Sequence, residues 1–225
     1  MTLTRLLAAA IVTLGMCAPV RAQVEAPADQ VVLHRLGGAP EIDGDLSDDA
    51  WLGAGTAKDW TIPLTTQAAP KYCRAMVGFD DAGIYVGALF GEPNPETLQT
   101  DAPDGGSGVW KDDCIEVWVR TTDNRQDFDQ FIVNAAGARQ RVQGRVGTHD
   151  TPQPDFPAGA QVGDAEWSVE LFIAYEEIGL EGTPEPGTMI QLKFGREDPS
   201  GNETTLMHWP PRAPYGASEG YGRAY

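Results

Sequence analysis

"VWKDDCIEVWVR", residues 109–120, is the stretch on which the fold turns. From Cys114 to Arg120 the odd positions Ile115, Val117 and Val119 are all apolar, and the even positions are Cys114, Glu116, Trp118 and Arg120. Side chains of a strand point alternately to opposite faces. This run is therefore expected to be a strand with one face in a core. Its other face carries an acid beside large aromatics, a row that Asp112 and Trp110 extend if the strand begins early.

Two later runs repeat the pattern. In 166–173, Trp167, Val169, Leu171 and Ile173 are expected to face inward, with Glu166, Ser168 and Glu170 outward. In 189–197, Ile190, Leu192 and Phe194 are expected inward, with Gln191 and Lys193 outward. "GIYVGALF" (83–90) is apolar on both faces and reads as a central strand, joined to "YCRAMVGF" (72–79) by the tight turn "DDAG" (80–83). Further short runs at 31–36, 128–135, 138–144, 206–209 and 220–225 read as strands. With 26 Gly and 17 Pro, long helices have little room. "LSDDAWLGA" (46–54), capped by Ser47, and "AYEEIGL" (174–180) read as single helical turns. The expected fold is all-β, an antiparallel β-sandwich of jelly-roll type with one or two short helical turns.

The first 22 residues have the form of a secretory signal: Arg5, an apolar run from Leu6 to Met16, and Val20-Arg21-Ala22 before Gln23. The apolar run is too short to span a bilayer. Residues 23–30 read as a linker and 31–225 as a single domain. Losing Arg5 and Arg21 moves the formal charge from −17 to about −19. A surface so acidic repels nucleic acid and anionic lipid, so neither is an expected partner. Export to the periplasm or the extracellular space is the expected localisation.

Seven pieces in order resemble the carbohydrate-binding module family 9-like domains: "IDGDLSDDAW" (42–51), "VGFDDAGIYVGAL" (77–89), "VWKDDCIEVWV" (109–119), "FIVNAAGAR" (131–139), "EWSVELFIAYEEIGL" (166–180), "IQLKFGRE" (190–197) and "HWPP" (208–211). The resemblance spans residues 31–225 and implies a sandwich that binds a glycan or glycan end between two tryptophans, with structural calcium. Carried over position by position, it implies Trp110 and Trp209 as stacking rings and Glu116 and Arg139 as hydroxyl-binding groups. Asp112 is a further candidate in the same row. The sequence departs from the family pattern at Ala174-Tyr175, at Lys193 and before Trp209. The chemistry is apt, because a sugar offers an apolar face to an aromatic ring and a hydroxyl rim to Glu or Arg. Trp51 and Trp167 are expected in the core, and Trp118 under a loop.

A glycosidase needs two carboxyls about 5–9 Å apart. Asp112 and Glu116 would stand about 13 Å apart on one strand, so a non-catalytic module is expected, with a glycoside hydrolase as a possible partner. Asp43, Asp45 and Asp48 form an oxygen-rich cluster of the kind calcium prefers, and the alternative is a set of solvated loop acids. Cys73 and Cys114 are open to a disulfide in an oxidising compartment, unless an intervening strand holds them too far apart. Two rival functions stand beside sugar binding. One is a haem-binding electron-transfer module, which needs Met76, Met207, His208 or Lys193 to face one apolar pocket. The other is a structural or protein-interaction domain whose groove has lost its ligand.

Overall fold

In the computed structural model, residues 27–122, 124, 126–145, 148–188, 190–200, 203–216 and 220–224 are described. The signal-like segment and the first half of the linker, residues 23–26, lie outside them. The described chain forms β1 (Gln30–Val31), β2 (His34–Arg35), β3 (Gly55–Ala57), β4 (Cys73–Phe79), β5 (Gly83–Gly91), β6 (Cys114–Arg120) and β7 (Phe128–Asn134). It continues with β8 (Arg139–Arg145), β9 (Thr148–Asp150), β10 (Ala158–Val162), β11 (Glu166–Ala174), β12 (Ile190–Asp198), β13 (Thr205–Trp209) and β14 (Gly222–Ala224). One sheet runs β1-β14-β12-β6-β7-β8-β9, with β13 also on β12. The other runs β10-β11-β5-β4-β2, with β3 also on β4. Among the described residues, the helical elements between the strands are 3₁₀ turns, such as Asp49–Gly53 and Tyr175–Ile178. This is the expected two-sheet sandwich.

Alternation places the core where the sequence puts it. Ile115, Val117 and Val119 meet Trp167, Val169, Leu171 and Ile173 of the opposite sheet, together with Ile190, Leu192 and Phe194. Strand β5 is central, paired with β11 on one side and β4 on the other. The Asp80 carboxylate closes the β4–β5 hairpin by accepting from the Ala82 and Gly83 amides at 2.7 and 3.2 Å.

The outer face of the second sheet is covered as well. Trp51, with Leu36, Met76 and Tyr85, forms a separate cluster there. Glu170 points outward from β11, as expected, yet is fully buried. Its carboxylate accepts from Trp51 Nε1 at 2.6 Å and from the Gly44 and Asp43 amides at 2.9 and 3.1 Å. One side chain thus pins the whole "IDGDLSDDAW" segment to the sheet. Burial raises the Glu170 carboxyl, while the three donors act to lower it.

Several expectations need correction. The 31–36 run divides: Val31 pairs in parallel with Ala224 in one sheet, and His34–Arg35 pair in parallel with β4 in the other. The chain can cross there because Gly55 has no Cβ, which would lie 1.9 Å from the Val32 carbonyl oxygen. Strand β10, "AGAQV", was invisible to β-propensity because four of its five residues are small or polar; its pairing with β11 creates it. Ser47 is not a cap, since the 3₁₀ turn starts after Asp48 with no side-chain capping bond. Cys73 and Cys114 are free thiols in different sheets. Cys73 lies in the core with its Sγ 3.9 Å from Met207 Sδ, whereas Cys114 packs with Ile132 and Val142 on the far side of its sheet. A layer of backbone separates the two sulfurs, so no disulfide can join them.

Replacing Glu170 with Ala should orphan three donors, two of them buried, at a cost of about 3 kcal/mol or more. Glu166→Ala, on the exposed end of the same strand, should cost under about 0.5 kcal/mol. Urea melts of both variants check the contrast.

Candidate ligand-binding site

Pairing across β6, β12 and β13 sets three rows of side chains on the outer face of the first sheet. Gln130, Trp118 and Lys193 form one row; Ile132, Glu116, Gly195 and His208 form the next; Asn134, Cys114, Glu197 and Leu206 form the third. The sequence places Glu116 and Trp118 on this face and implies a solvent-open groove. The face is instead closed. All seven residues of β6 are buried.

The cover is "PPRAPYG", residues 210–216, which leaves β13 and folds back over the rows. Its Tyr215 hydroxyl donates to Glu116 Oε1 at 2.7 Å. The Gln130 amide donates to the other Glu116 oxygen. Lys193 Nζ donates to the Pro214 and Gly216 carbonyls at 2.7 and 2.6 Å. The Tyr215 ring meets Trp118 edge-on, with centroids 5.5 Å apart. A Cβ on Gly195 would stand 2.6 Å from the Tyr215 hydroxyl oxygen and 2.9 Å from the Trp118 ring. Only glycine leaves room for both.

The enclosed groups are electrostatically unusual. Burial, together with the Glu197 charge, pushes the Glu116 carboxyl up to about 8 against the pull of the Tyr215 and Gln130 donors. Burial likewise raises Glu197 to about 7, with the Glu116 and Tyr215 hydrogen bonds opposing it. The two carboxyls stand in neighbouring rows on strands β6 and β12 and bear on each other's titration, with the Glu197 charge raising Glu116. His208 is completely buried, and neither ring nitrogen has a hydrogen-bond partner. Burial lowers it to about 4, aided by the Lys193 charge, so it is neutral.

The other expected residues are scattered. Trp110 is on the 3₁₀ turn Val109–Lys111, outside the strand, and is 43% exposed with Lys111 Nζ 5.3 Å from its ring centre. Arg139 starts β8, and the Trp110 turn packs against β7 and β8, so both stand at one end of the sheet. The Arg139 guanidinium is paired through two nitrogens with Asp104 at 3.0 and 2.8 Å and donates to the Phe156 carbonyl. Trp209 is a correction: it is 1% exposed, faces the core and packs on Phe194. Its position in β13 is one step out of phase with the outer face that His208 occupies. Asp112 is also structural, accepting from the Ala102 amide and from Asn134 Nδ2 at 3.0 and 2.8 Å.

Asp43, Asp45 and Asp48 do not converge. Their carboxylates accept from the Asp45, Ser47 and Glu41 amides and organise the loop. Among the described residues, the carboxylates that do converge are those of Glu92, Asp113 and Asp198. Positive charge is already supplied there. Lys71 Nζ lies 2.5 Å from Glu92 and 2.8 Å from Asp198, and Arg196 lies 3.1 Å from Glu92. The residues proposed for haem do not gather in one apolar pocket: Lys193 and His208 share a face, but Lys193 is held by the Pro214 and Gly216 carbonyls, and neither methionine joins them. Met207 faces the core, His208 the opposite side, and Met76 the outer face of the other sheet.

Tyr215, Gln130, Glu197 and Gly195 are the site residues that sequence reasoning missed. One signal was available: Lys193 and Glu116 are charged residues at outward positions of neighbouring central strands, where a cover would have to neutralise them.

No protein-family model and no curated protein matches the sequence. Solved structures do. A Bacteroides uniformis protein proposed to bind carbohydrate superposes with a TM-score of 0.66 at 12% identity, over 87% of this chain and 97% of that one. A family 9 carbohydrate-binding module from Caldicellulosiruptor kristjanssonii, solved with glucose, gives 0.60 at 18% identity over 87% and 94%. A structure of such a module with cellotriose gives 0.53 at 20% identity over 80% and 82%. At these identities the likeness establishes the fold, that of the family 9 sandwiches.

Both carboxyls of the buried pair bind protons more tightly in the folded chain than in the unfolded one, where they titrate near 4.5. Stability should therefore fall as pH rises from about 4.5 through about 8. Glu116→Gln removes the more strongly raised member of the pair. Its melting temperature should decline less than that of the wild type between pH 5 and pH 9, with parallel profiles as the contrary result.

Proposed function

We propose that the protein is an exported, non-catalytic carbohydrate-binding module. The observation that carries this reading is Trp110, a large ring held 43% exposed at one end of a sandwich of the family 9 fold. An exposed indole gives a sugar's apolar face a flat surface, and burying it on binding is favourable. Arg139 at the same end presents a planar donor, already oriented by Asp104. The sandwiches that share the fold include modules solved with glucose and with cellotriose, so β-linked glucose chains are the first ligands to test.

The non-catalytic part rests on the carboxyls of the 109–120 stretch. Asp112, Asp113 and Glu116 are all buried, and each accepts hydrogen bonds from the chain itself. An open cleft of about 600 Å³ lies elsewhere, lined largely by apolar groups such as Leu33, Phe79, Ile84 and Ile190. A module of this kind serves by holding a partner glycoside hydrolase on its polysaccharide. A second reading, a structural or interaction domain, is favoured by one observation: the cover over Glu116 and Trp118.

Two measurements test the proposal. Calorimetric titration with glucose and cellotriose should show binding that Trp110→Ala weakens by more than about tenfold, with an unchanged melting temperature because the ring is already exposed. Undiminished affinity in the variant would place the contact elsewhere. For export, the mature protein should begin at or near Gln23 on N-terminal sequencing, and an intact Met1 on the soluble form would overturn it.

A further inference from the structure

The geometry points to a second glycan-binding surface on the outer face of the other sheet. There Tyr72 supplies a stacking ring and Arg74 the hydrogen-bond donors, and the ligand is an extended stretch of a neutral glycan chain. This rests on the carbohydrate-binding reading and adds a hold separate from Trp110.

Strand register builds the surface row by row. Cys73 faces the core, so Tyr72 and Arg74 on either side of it face outward. The Gly91 amide donates to the Tyr72 carbonyl at 2.9 Å, and Gly91 pairs with Glu166 on its other side, so Tyr72, Gly91 and Glu166 form one row. Arg74, Leu89, Ser168 and Gln161 form the next. The row after that, through Gly87 and Glu170, lies beneath Leu46 and Trp51 of the 42–51 segment. The cover ends at Ser168, whose hydroxyl donates to the Gly44 carbonyl at 2.6 Å. Beyond it, Tyr72 is 56% exposed, Glu166 and Gln161 are exposed, and Leu89 and Arg74 are half-buried.

Two features set this patch apart from a stray exposed ring. The first is its floor. Gly91 carries no side chain, and a Cβ there would stand 3.1 Å from the Tyr72 Cβ. The space beside the ring is therefore kept at the level of the backbone, and Leu89 continues it with apolar surface. Such a strip suits the C–H face of a pyranose. The second is Arg74. Arg35, Arg139, Arg141, Arg145 and Arg196 each pair with a carboxylate. Among the described residues none pairs with Arg74, and its Nε is buried without a hydrogen-bond partner. In a chain of net charge −17 that is an exception. Its terminal nitrogens keep their N–H groups for ligand oxygens. Tyr72 and Arg74 are two apart on one strand, so ring and donor stand about 7 Å apart along it, within reach of one chain.

The surroundings select the ligand. Glu166 beside the ring would repel an acidic sugar, whereas Glu166 and Gln161 both accept from hydroxyls. The patch is an open strip, which fits a chain laid across it. Tyr72 also stands at the same end of the sandwich as Trp110. Its neighbour Lys71 reaches Glu92 and Asp198, whose carboxylates converge with that of Asp113, three residues from Trp110. Two holds at one end of the molecule raise retention on a polysaccharide without either being tight.

The test uses the full chain with cellotriose as probe, labelled with fluorotyrosine or with fluorotryptophan. Tyr72→Phe and Trp110→Phe assign the two resonances, so fluorine NMR titrates each surface by itself. Cellotriose should shift both. The Tyr72 shift should persist in Trp110→Ala. Arg74→Met keeps the aliphatic stem and removes the donors; it should weaken the Tyr72 curve by at least about tenfold and leave the Trp110 curve in place. Thermal melts confirm that each variant is folded, and the wild-type Tyr72 shift decides the matter if one is not. Retention on insoluble cellulose should fall in Tyr72→Ala with Trp110 intact. If Trp110 shifts and Tyr72 does not, or if the Tyr72 shift vanishes in Trp110→Ala, the inference fails and the carbohydrate reading stands. A Tyr72 curve indifferent to Arg74→Met overturns the donor assignment. If neither resonance moves, both readings fail together.

Discussion

Strand β6 is buried on both of its faces, and much of the molecule is arranged to make that possible. Its inward side chains are apolar and meet the opposite sheet. Its outward side chains include a carboxylate, an indole and a guanidinium, and these too are removed from solvent. Apolar burial is favourable without further conditions, but polar burial requires a partner for every donor and acceptor. The strap at 210–216, the bare Cα of Gly195 and the ammonium of Lys193 all answer that requirement. The outer surface of this sheet is therefore a third layer.

The same logic governs the other buried charges. Glu170 is satisfied by an indole N–H and two backbone amides, and in this way it fixes the segment 42–51 on the second sheet. Glu92 and Asp198 are satisfied by Lys71 and Arg196. Removing one member of such a set leaves an uncompensated charge in a medium of low polarity, which costs far more than the pair gains by forming. Asp113 sits beside the second cluster with one carboxylate oxygen unpartnered, and burial raises its carboxyl to about 6. The loop acids at 43, 45 and 48 belong to a different class. They remain near solvent and turn their oxygens onto nearby amides, which shapes the loop without gathering the carboxylates.

The period-2 pattern determined a large part of the architecture by itself. It fixed β4, β5, β6, β7, β11 and β12 to within a residue at each end, and for β6, β11 and β12 it fixed which side chains form the core. It also placed Trp167 in the core; Trp118 lies beneath a loop as expected, whereas Trp51, expected in the core, is buried in a separate cluster on the outer face of the second sheet. Those features are local: alternation along one strand is legible from that strand alone. Short edge strands such as β9 and β10 were not legible, because pairing with a neighbour creates them and their own residues carry little preference.

The site divides along the same line. Sequence was enough to single out Trp110 as an exposed ring and to place Glu116 on the outer face of its strand. It could not show that "outer" and "exposed" differ here, because the cover comes from residues some hundred positions further along the chain. Trp209 failed for a related reason. Whether it faces the core depends on the register of β13 against β12, which sets His208 opposite Gly195 and so turns Trp209 inward. What sequence alone determined is the alternation within each strand. Only the tertiary structure decided which faces meet solvent, because that depends on contacts between segments distant in sequence.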